Sequence, residues 1–475
     1  MKLNSLFALA AMFALGCSTI KEAREAQEAL ADKCSEDKAA TILDEKVNLV
    51  GSSLEELVAY ALDHRETLTK AALNVQDAHL AMKALRADAP LISSTPWTAP
   101  KVGLSASYGE SSAPAHAKDF DGKLERGKLG AAVSLDLLVY DFGRHDAKLK
   151  AAAENVIAAE VALASARYDV FEEVTEAYFD LREARTLLAV AKASEEKLKL
   201  HLERAEKRYE AGESLKLDVT KAALDLSEAK DKVVAAENQV ETSGAKILAA
   251  LGIAADQARW TDVVDENESD FYRYVGAFNE TTMTTEEGFE LGCANYPAIR
   301  IARARLRAAS DEVDYAVADL KPSLSLNASL NFSDPLWWWK WGVGASQNLF
   351  SGFRKTTAVD RAVVAMKSAA SDVDRTEHEL SLAISLAVAE RDNARVAYET
   401  SEESVNNAQA YLILAEERYN VGDLSQVDFN DSVVDHETAL GTRVKAYYRG
   451  QRAESKIFRL IGMLPEYVSN KEEAK

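Results

Sequence analysis

Cysteine is scarce in this chain of 475 residues, which holds three, Cys17, Cys34 and Cys293. Three scattered thiols cannot build a disulfide framework. The seven histidines, His64, His79, His116, His145, His201, His378 and His436, are equally dispersed. None clusters with cysteine at ligand spacing, so no metal site is expected. Proline (8) and glycine (21) are few, and aromatic residues make up 8%. What remains is rich in Ala, Leu, Glu, Lys and Val, which is largely helix-forming material. A basic excess is missing too: the net charge is -21. That argues against a nucleic-acid phosphate partner but leaves room for a conduit that attracts cations. The sequence shows no phosphate loop and no convergent nucleophile and base, so neither an enzyme nor a cofactor is expected.

The N-terminus reads as a processing segment. Lys2 precedes an apolar run, LFALAAMFAL, which is too short to remain as a membrane helix. Ala14-Leu15-Gly16-Cys17 resembles a bacterial lipoprotein cleavage box, with Ala14 where leucine is usual. Residues 1–16 are then a signal peptide, Cys17 is the lipidated first residue, and Ser18 resembles the outer-membrane sorting pattern. The alternative is plain secretion. Beyond this segment no apolar run reaches about 18 residues, so no transmembrane helix is expected.

The rest of the chain is written twice. RYEAGESLKLDV around Tyr209, Gly212 and Asp218 returns 210 positions later as RYNVGDLSQVDF around Tyr419, Gly422 and Asp428. Arg144 and Arg354 keep the same offset, as do Gly252 and Gly462. One fold unit has been duplicated. Residues 17–50 form a polar lead-in. The first copy takes 51–252, an acidic link 253–290, the second copy 291–462, and a polar tail 463–475. Within the first copy, apolar spacing predicts one helix over Leu54–Ala89, closed by the prolines of PLISSTPWTAP. Period-two alternation then predicts strands at about 101–110 and 127–139, joined by a long polar loop. Helices follow from Arg144 to Tyr209 and from Leu215 to Gly252. The second copy repeats the order: a helix over Ile299–Leu320, strands at about 322–333 and 336–349, and helices over Arg354–Tyr419 and on to Gly462. A helix of that first length is roughly 100 Å long and needs coiled-coil partners.

The strands carry two chemistries. Leu324, Leu326, Leu330 and Phe332 alternate with Ser323, Ser325, Asn327, Ser329 and Asn331, while Trp337, Trp339 and Trp341 share one face. This is the pattern of lipid-exposed barrel strands, and the tryptophans suit an interfacial aromatic girdle. Four strands cannot close a barrel, and open edges are intolerable in lipid. Symmetric association would supply the missing strands, twelve from three chains. Two soluble hairpins with tryptophan-filled cores are the alternative.

In this order and in duplicate, these motifs resemble the TolC-like outer-membrane efflux proteins, the outer membrane factor family. The resemblance rests on YDFGR and LFSGFR after the second strands. It rests equally on the paired motifs Ala205, Tyr209, Gly212, Asp218 and Ala415, Tyr419, Gly422, Asp428. It covers about residues 50–465. It implies a mostly α homotrimer with a transmembrane twelve-stranded β-barrel, four strands per chain, continued by a twelve-helix periplasmic α-barrel. It also implies partners: outer-membrane lipid, a periplasmic adaptor and a proton-driven inner-membrane transporter. The implied role is a passive exit channel for toxic solutes or drugs. Protein secretion with another pump, or a coiled-coil lipoprotein without a pore, are the alternatives.

Two groups of residues carry the functional expectation. Asp428 and Asp431 stand three apart, on one side of a helix. The resemblance implies that acidic residues at these positions ring the periplasmic mouth. The first copy has Lys221 where the second has Asp431. The tips, Gly212, Ser214 and Leu215 with Gly422, Leu424 and Ser425, are the adaptor-docking candidates that the resemblance implies.

Overall fold

A computed structural model describes residues 21, 23–27, 53–92, 101–109, 128–212, 214–253, 283–333 and 336–463. The signal peptide, Cys17, most of the lead-in, His116, the greater part of the link and the tail lie outside them. The chain order is α1 (Leu54–His64), α2 (Glu66–Ala87), β1 (Lys101–Gly109), β2 (Lys128–Tyr140), α3 (Arg144–Glu210) and α4 (Lys216–Leu251). It continues with α5 (Thr285–Asn295), α6 (Pro297–Ala318), β3 (Ser323–Ser333), β4 (Leu336–Ser346), α7 (Arg354–Asn420) and α8 (Gln426–Leu460). The span expected as one helix, Leu54–Ala89, is two. Arg65 adopts an extended conformation, φ -69° and ψ 126°, between them. Its guanidinium bonds Glu173. The helical spacing continues across this break, so periodicity alone could not mark it.

Two compact units divide the chain. One contains Leu62–Glu176, Ala277–Tyr411 and Thr438–Lys475. It holds an antiparallel sheet in the order β1-β2-β3-β4. Val133 faces Leu330 and Leu135 faces Ala328 across β2 and β3. Leu330 faces Trp339, Phe332 faces Trp337 and Ala328 faces Trp341 across β3 and β4. This apolar face is solvent-exposed at its tryptophans. The opposite face is hydroxyl, amide and glycine: Gly103, Ser134, Asp136, Asn327, Ser329 and Gly342. Asn327 donates to Asp136, and Asn331 Nδ2 donates to Ser329 Oγ at 3.0 Å. β3 and β4 each have 11 residues, the length that spans a bilayer when tilted. Trp337, Trp339 and Trp341 step along β4 by about 13 Å in all. They form a column on one face of the strand. In the same unit, Ile299, Leu380, Ile384, Val388, Ile457 and Ile461 form a buried cluster joined by Phe289 of α5. No described helix is long and apolar enough to cross a membrane.

The other unit contains Ala177–Gly276 and Leu412–Glu437, with residues up to Ala61. Its long helices obey a seven-residue rule. In α3, Ala177, Ala184, Ala191, Leu198 and Ala205 are buried. In α4, Leu226, Val233, Val240 and Ile247 are buried at the same interval. A strict heptad corresponds to 3.5 residues per turn and imposes left-handed supercoiling. Alanine at most α3 positions lets neighbouring backbones approach closely.

Candidate functional site

Both helix reversals lie in this second unit. α3 ends at Gly212, φ 78°, and α7 ends at Gly422, φ 80°. A side chain is strained in that left-handed region, so glycine suits each turn. The next helices are then started by carboxylates. Asp218 Oδ2 accepts from the Leu215 N–H at 3.0 Å. Ser425 Oγ–H donates to Asp428 Oδ2 at 2.7 Å, and the Asp428 N–H donates back to Ser425 Oγ at 3.2 Å. Asp218 thus accepts a backbone N–H at its helix start, whereas in the second repeat Ser425 is the cap and Asp428 holds the Ser425 hydroxyl.

Asp431 lies one turn further along and is exposed, as is Asp428. Lys221 Nζ contacts the buried carboxylate of Asp225 at 2.8 Å. The hydrogen bond and charge of Asp225 hold the Lys221 pKa above its ordinary value, with Glu228 and Asp431 adding smaller attraction. The lysine that replaces an acid in the first repeat thus lies within the field of the second repeat's Asp431.

The tips differ in what they present. Leu215 and Leu217 are exposed, 69% and 72%. Leu424, the second tip's leucine, instead packs against a buried cluster of Leu198, Leu226, Leu412, Tyr419, Phe429 and Val433. Val421 and Val427 are the exposed aliphatics there. Ser214 is half-buried, with a hydroxyl that has no hydrogen-bond partner among the described residues.

At the centre of that cluster is a residue that sequence reasoning passed over. His201 of α3 is buried, its ring stacked on Phe429 at 4.4 Å between centroids and tilted against Tyr419 at 4.6 Å. Neither ring nitrogen makes a hydrogen bond among the described residues. Its pKa falls from 6.5 to about 4. Burial is the main cause. The Gln426 side chain and Asp225 oppose the fall, while Arg204 and Arg208 add to it. Tyr419 Oη–H donates to Gln426 Oε1 at 2.9 Å. Arg208 donates to the Tyr419 carbonyl at 3.2 Å and lies 5.2 Å from its ring centroid. Burial also pushes the Tyr419 phenol above its usual pKa. The repeat could have flagged one signal: His201 stands where the second copy has Tyr411.

Among the described residues no group of His, Cys, Asp or Glu could hold a metal ion. What the geometry offers is two capped hairpin tips with aliphatic and acidic surfaces.

The family model described as "Outer membrane efflux protein" matches residues 57–253 and 291–463, one segment for each repeat. The outer membrane efflux protein BepC of Brucella suis biovar 1 (strain 1330) is 22% identical over 304 residues, 62% of this chain. The chain spans 64% of that relative's length. A membrane protein from Pseudomonas aeruginosa superposes with a TM-score of 0.75 at 20% identity, over 87% of this chain and 91% of the other. The CmeC outer membrane channel of Campylobacter jejuni gives 0.73 at 18% identity, over 88% of each chain. The fold is TolC-like, and the chain belongs to the outer membrane efflux protein family.

Proposed function

We propose that this chain is the outer-membrane exit duct of a tripartite efflux system. Three copies pool their sheets into a twelve-stranded barrel and their long helices into a periplasmic tube. Solutes pass through it without covalent chemistry, delivered by an inner-membrane transporter through a periplasmic adaptor. One observation carries this reading. A sheet with one tryptophan-lined apolar face, one serine/asparagine face and two edges that no strand covers among the described residues belongs to a duplicated body of long helices. Lipid suits the first face, water the second, and further strands the edges. The adaptor contacts are the exposed aliphatics Leu215, Leu217, Val421 and Val427, reinforced by Ser214. Leu424 supports the second tip from within, and Ser425 holds its helix start.

Asp431 is the principal charge at the mouth, because Asp428 is engaged in its cap. Three copies would bring the Asp431 carboxylates together and favour cations. Single-channel recording of the purified oligomer in a planar bilayer tests both statements. Conductance steps with cation preference are expected. Asp431→Ala lowers that preference more than Asp428→Ala does. An intact trimer that gives no steps, either as wild type or with both aspartates replaced, overturns the channel reading. Equal effects of the two variants overturn the assignment of Asp431.

Cys17 anchors the mature chain to the outer membrane through a lipid. Metabolic labelling with a palmitate analogue is expected to mark the wild type, and Cys17→Ser to abolish the mark. Equal labelling of both would remove the anchor.

A further inference from the structure

The duplication turns one junction inside the chain into a template for another that a single chain lacks. At the foot of the sheet, β2 ends beside the start of β3. Asp319, just past α6, binds Arg144 Nη1 at 3.2 Å and Lys355 Nζ at 3.1 Å. Arg144 is the first residue of α3. Each part has a counterpart. Arg354 is the first residue of α7, and Asp88 follows α2 as Asp319 follows α6. Pro100 precedes KVGLSAS in β1, and Pro322 precedes SLSLNAS in β3. The 210-residue offset maps β2 onto β4.

The counterpart of the β2–β3 seam would therefore join β4 to β1. These are the two outer strands of the sheet, so that seam can form only between copies. The surfaces it would cover lie open. Leu349, Phe350 and Phe353 are 88%, 75% and 71% exposed. Their counterparts in the covered seam, Val139, Tyr140 and Gly143, are half-buried. Arg354 is exposed, with no ion pair among the described residues, whereas Arg144 is half-buried in one. Among the described residues Asp88 holds a single cation, Lys101 at 3.1 Å, where Asp319 holds two. β2 runs on to Tyr140, but β4 stops at Ser346.

We propose that β4 of one copy pairs with β1 of the next in the register of the β2–β3 seam, and that Arg354 of the first copy bonds Asp88 of the second. Asp136 faces Asn327 in the template. Transferred through the repeat, Ser346 faces Ser105, Gln347 faces Leu104 and Asn348 faces Gly103. β4 thereby lengthens past Ser346 on assembly. This register keeps like faces together. Ser346 lies on the polar face with Gly342 and Gly344, and Ser105 lies on the polar face with Gly103. A slip of one residue either way would set Ser346 opposite Leu104 or Ala106 and exchange the faces.

The proposal rests on the trimeric reading, so oligomer formation is measured separately, by native mass spectrometry of the full chain. The seam is tested by oxidising outer-membrane vesicles that carry Ser105→Cys with Ser346→Cys. Directly opposed residues lie within disulfide reach, whereas Gly342→Cys in place of Ser346→Cys adds about 13 Å along the strand. Reductant-sensitive dimer and trimer bands are expected from the first pair. None is expected from the second pair or from either single variant. An intact trimer in which the first pair stays unlinked, or the second links equally well, overturns the register but leaves the duct reading standing. Absence of any oligomer overturns both. For the ion pair, Arg354→Asp and Asp88→Arg should each lower the temperature at which the trimer dissociates in detergent. The double reversal should recover it. A double variant no more resistant than the weaker single one overturns the Arg354–Asp88 contact.

Discussion

Mild acid will loosen the hairpin tips through one imidazole. His201 has its pKa lowered from 6.5 to about 4 in the fold. Above pH 6.5 the ring is neutral in both folded and opened states and contributes no pH dependence. Between 6.5 and 4 the opened state binds a proton that the folded state does not, so stability falls as pH falls. Across the whole window the loss is about 3 kcal/mol. Hydrogen exchange of tip amides, corrected for intrinsic rates, reads the local opening. From pH 7 to pH 5, protection in residues 195–210 and 415–430 should drop about twenty-fold. His201→Phe keeps a ring against Phe429 and Tyr419 and removes two buried nitrogens that meet no hydrogen-bonding geometry among the described residues. Its profile should be flatter by that factor, with protection at pH 7 at least equal to the wild type. Neighbouring groups titrate in both proteins, so the difference between them isolates the imidazole. The same drop in both would show that the ring does not govern the tips.

This site was only partly legible in the sequence. The fold class could be read because two periodicities are independent of tertiary detail. A 67-residue helix announces itself by the lack of breakers, and Leu324 to Phe332 alternate without exception. The tip turns could be read because Gly212 and Gly422 recur in one motif. The tie of Asp428 to its helix start could not. The Asp428/Asp431 spacing is the same with or without it, and only the Ser425 hydroxyl engages Asp428 there. The Arg65 break was hidden because an ion pair, not a breaker residue, accompanies it. The inward turn of Leu424 was hidden as well. Its one-residue displacement relative to Leu215 shows in the sequence, but the cluster it meets is built from α3, α4, α7 and α8 together.

The repeat also hides an inequality with a large energetic consequence. Tyr209 and Tyr419 occupy the same place in the same motif, yet Tyr209 is 46% exposed and Tyr419 is 5% exposed. Tyr419 contacts the His201 and Phe429 rings, donates to Gln426 and offers its ring to Arg208. Truncating a buried aromatic leaves a cavity and costs about 3–5 kcal/mol. Here the Gln426 carboxamide also loses its donor. Tyr419→Ala should therefore reduce tip-amide protection by more than a hundred-fold, in α3 as well as α7, since His201 loses one wall of its stack. Tyr209→Ala should cost less than about 1 kcal/mol, as substitutions away from a core do. Tyr419→Phe separates the contributions: it retains the ring and loses only the hydrogen bond, at about 1 kcal/mol. Equal losses from Tyr419→Ala and Tyr209→Ala would mean that the two hairpins are packed alike and that the aromatic cluster does not hold the tip. A Phe variant as damaged as the Ala variant would shift the weight from stacking to the Gln426 hydrogen bond.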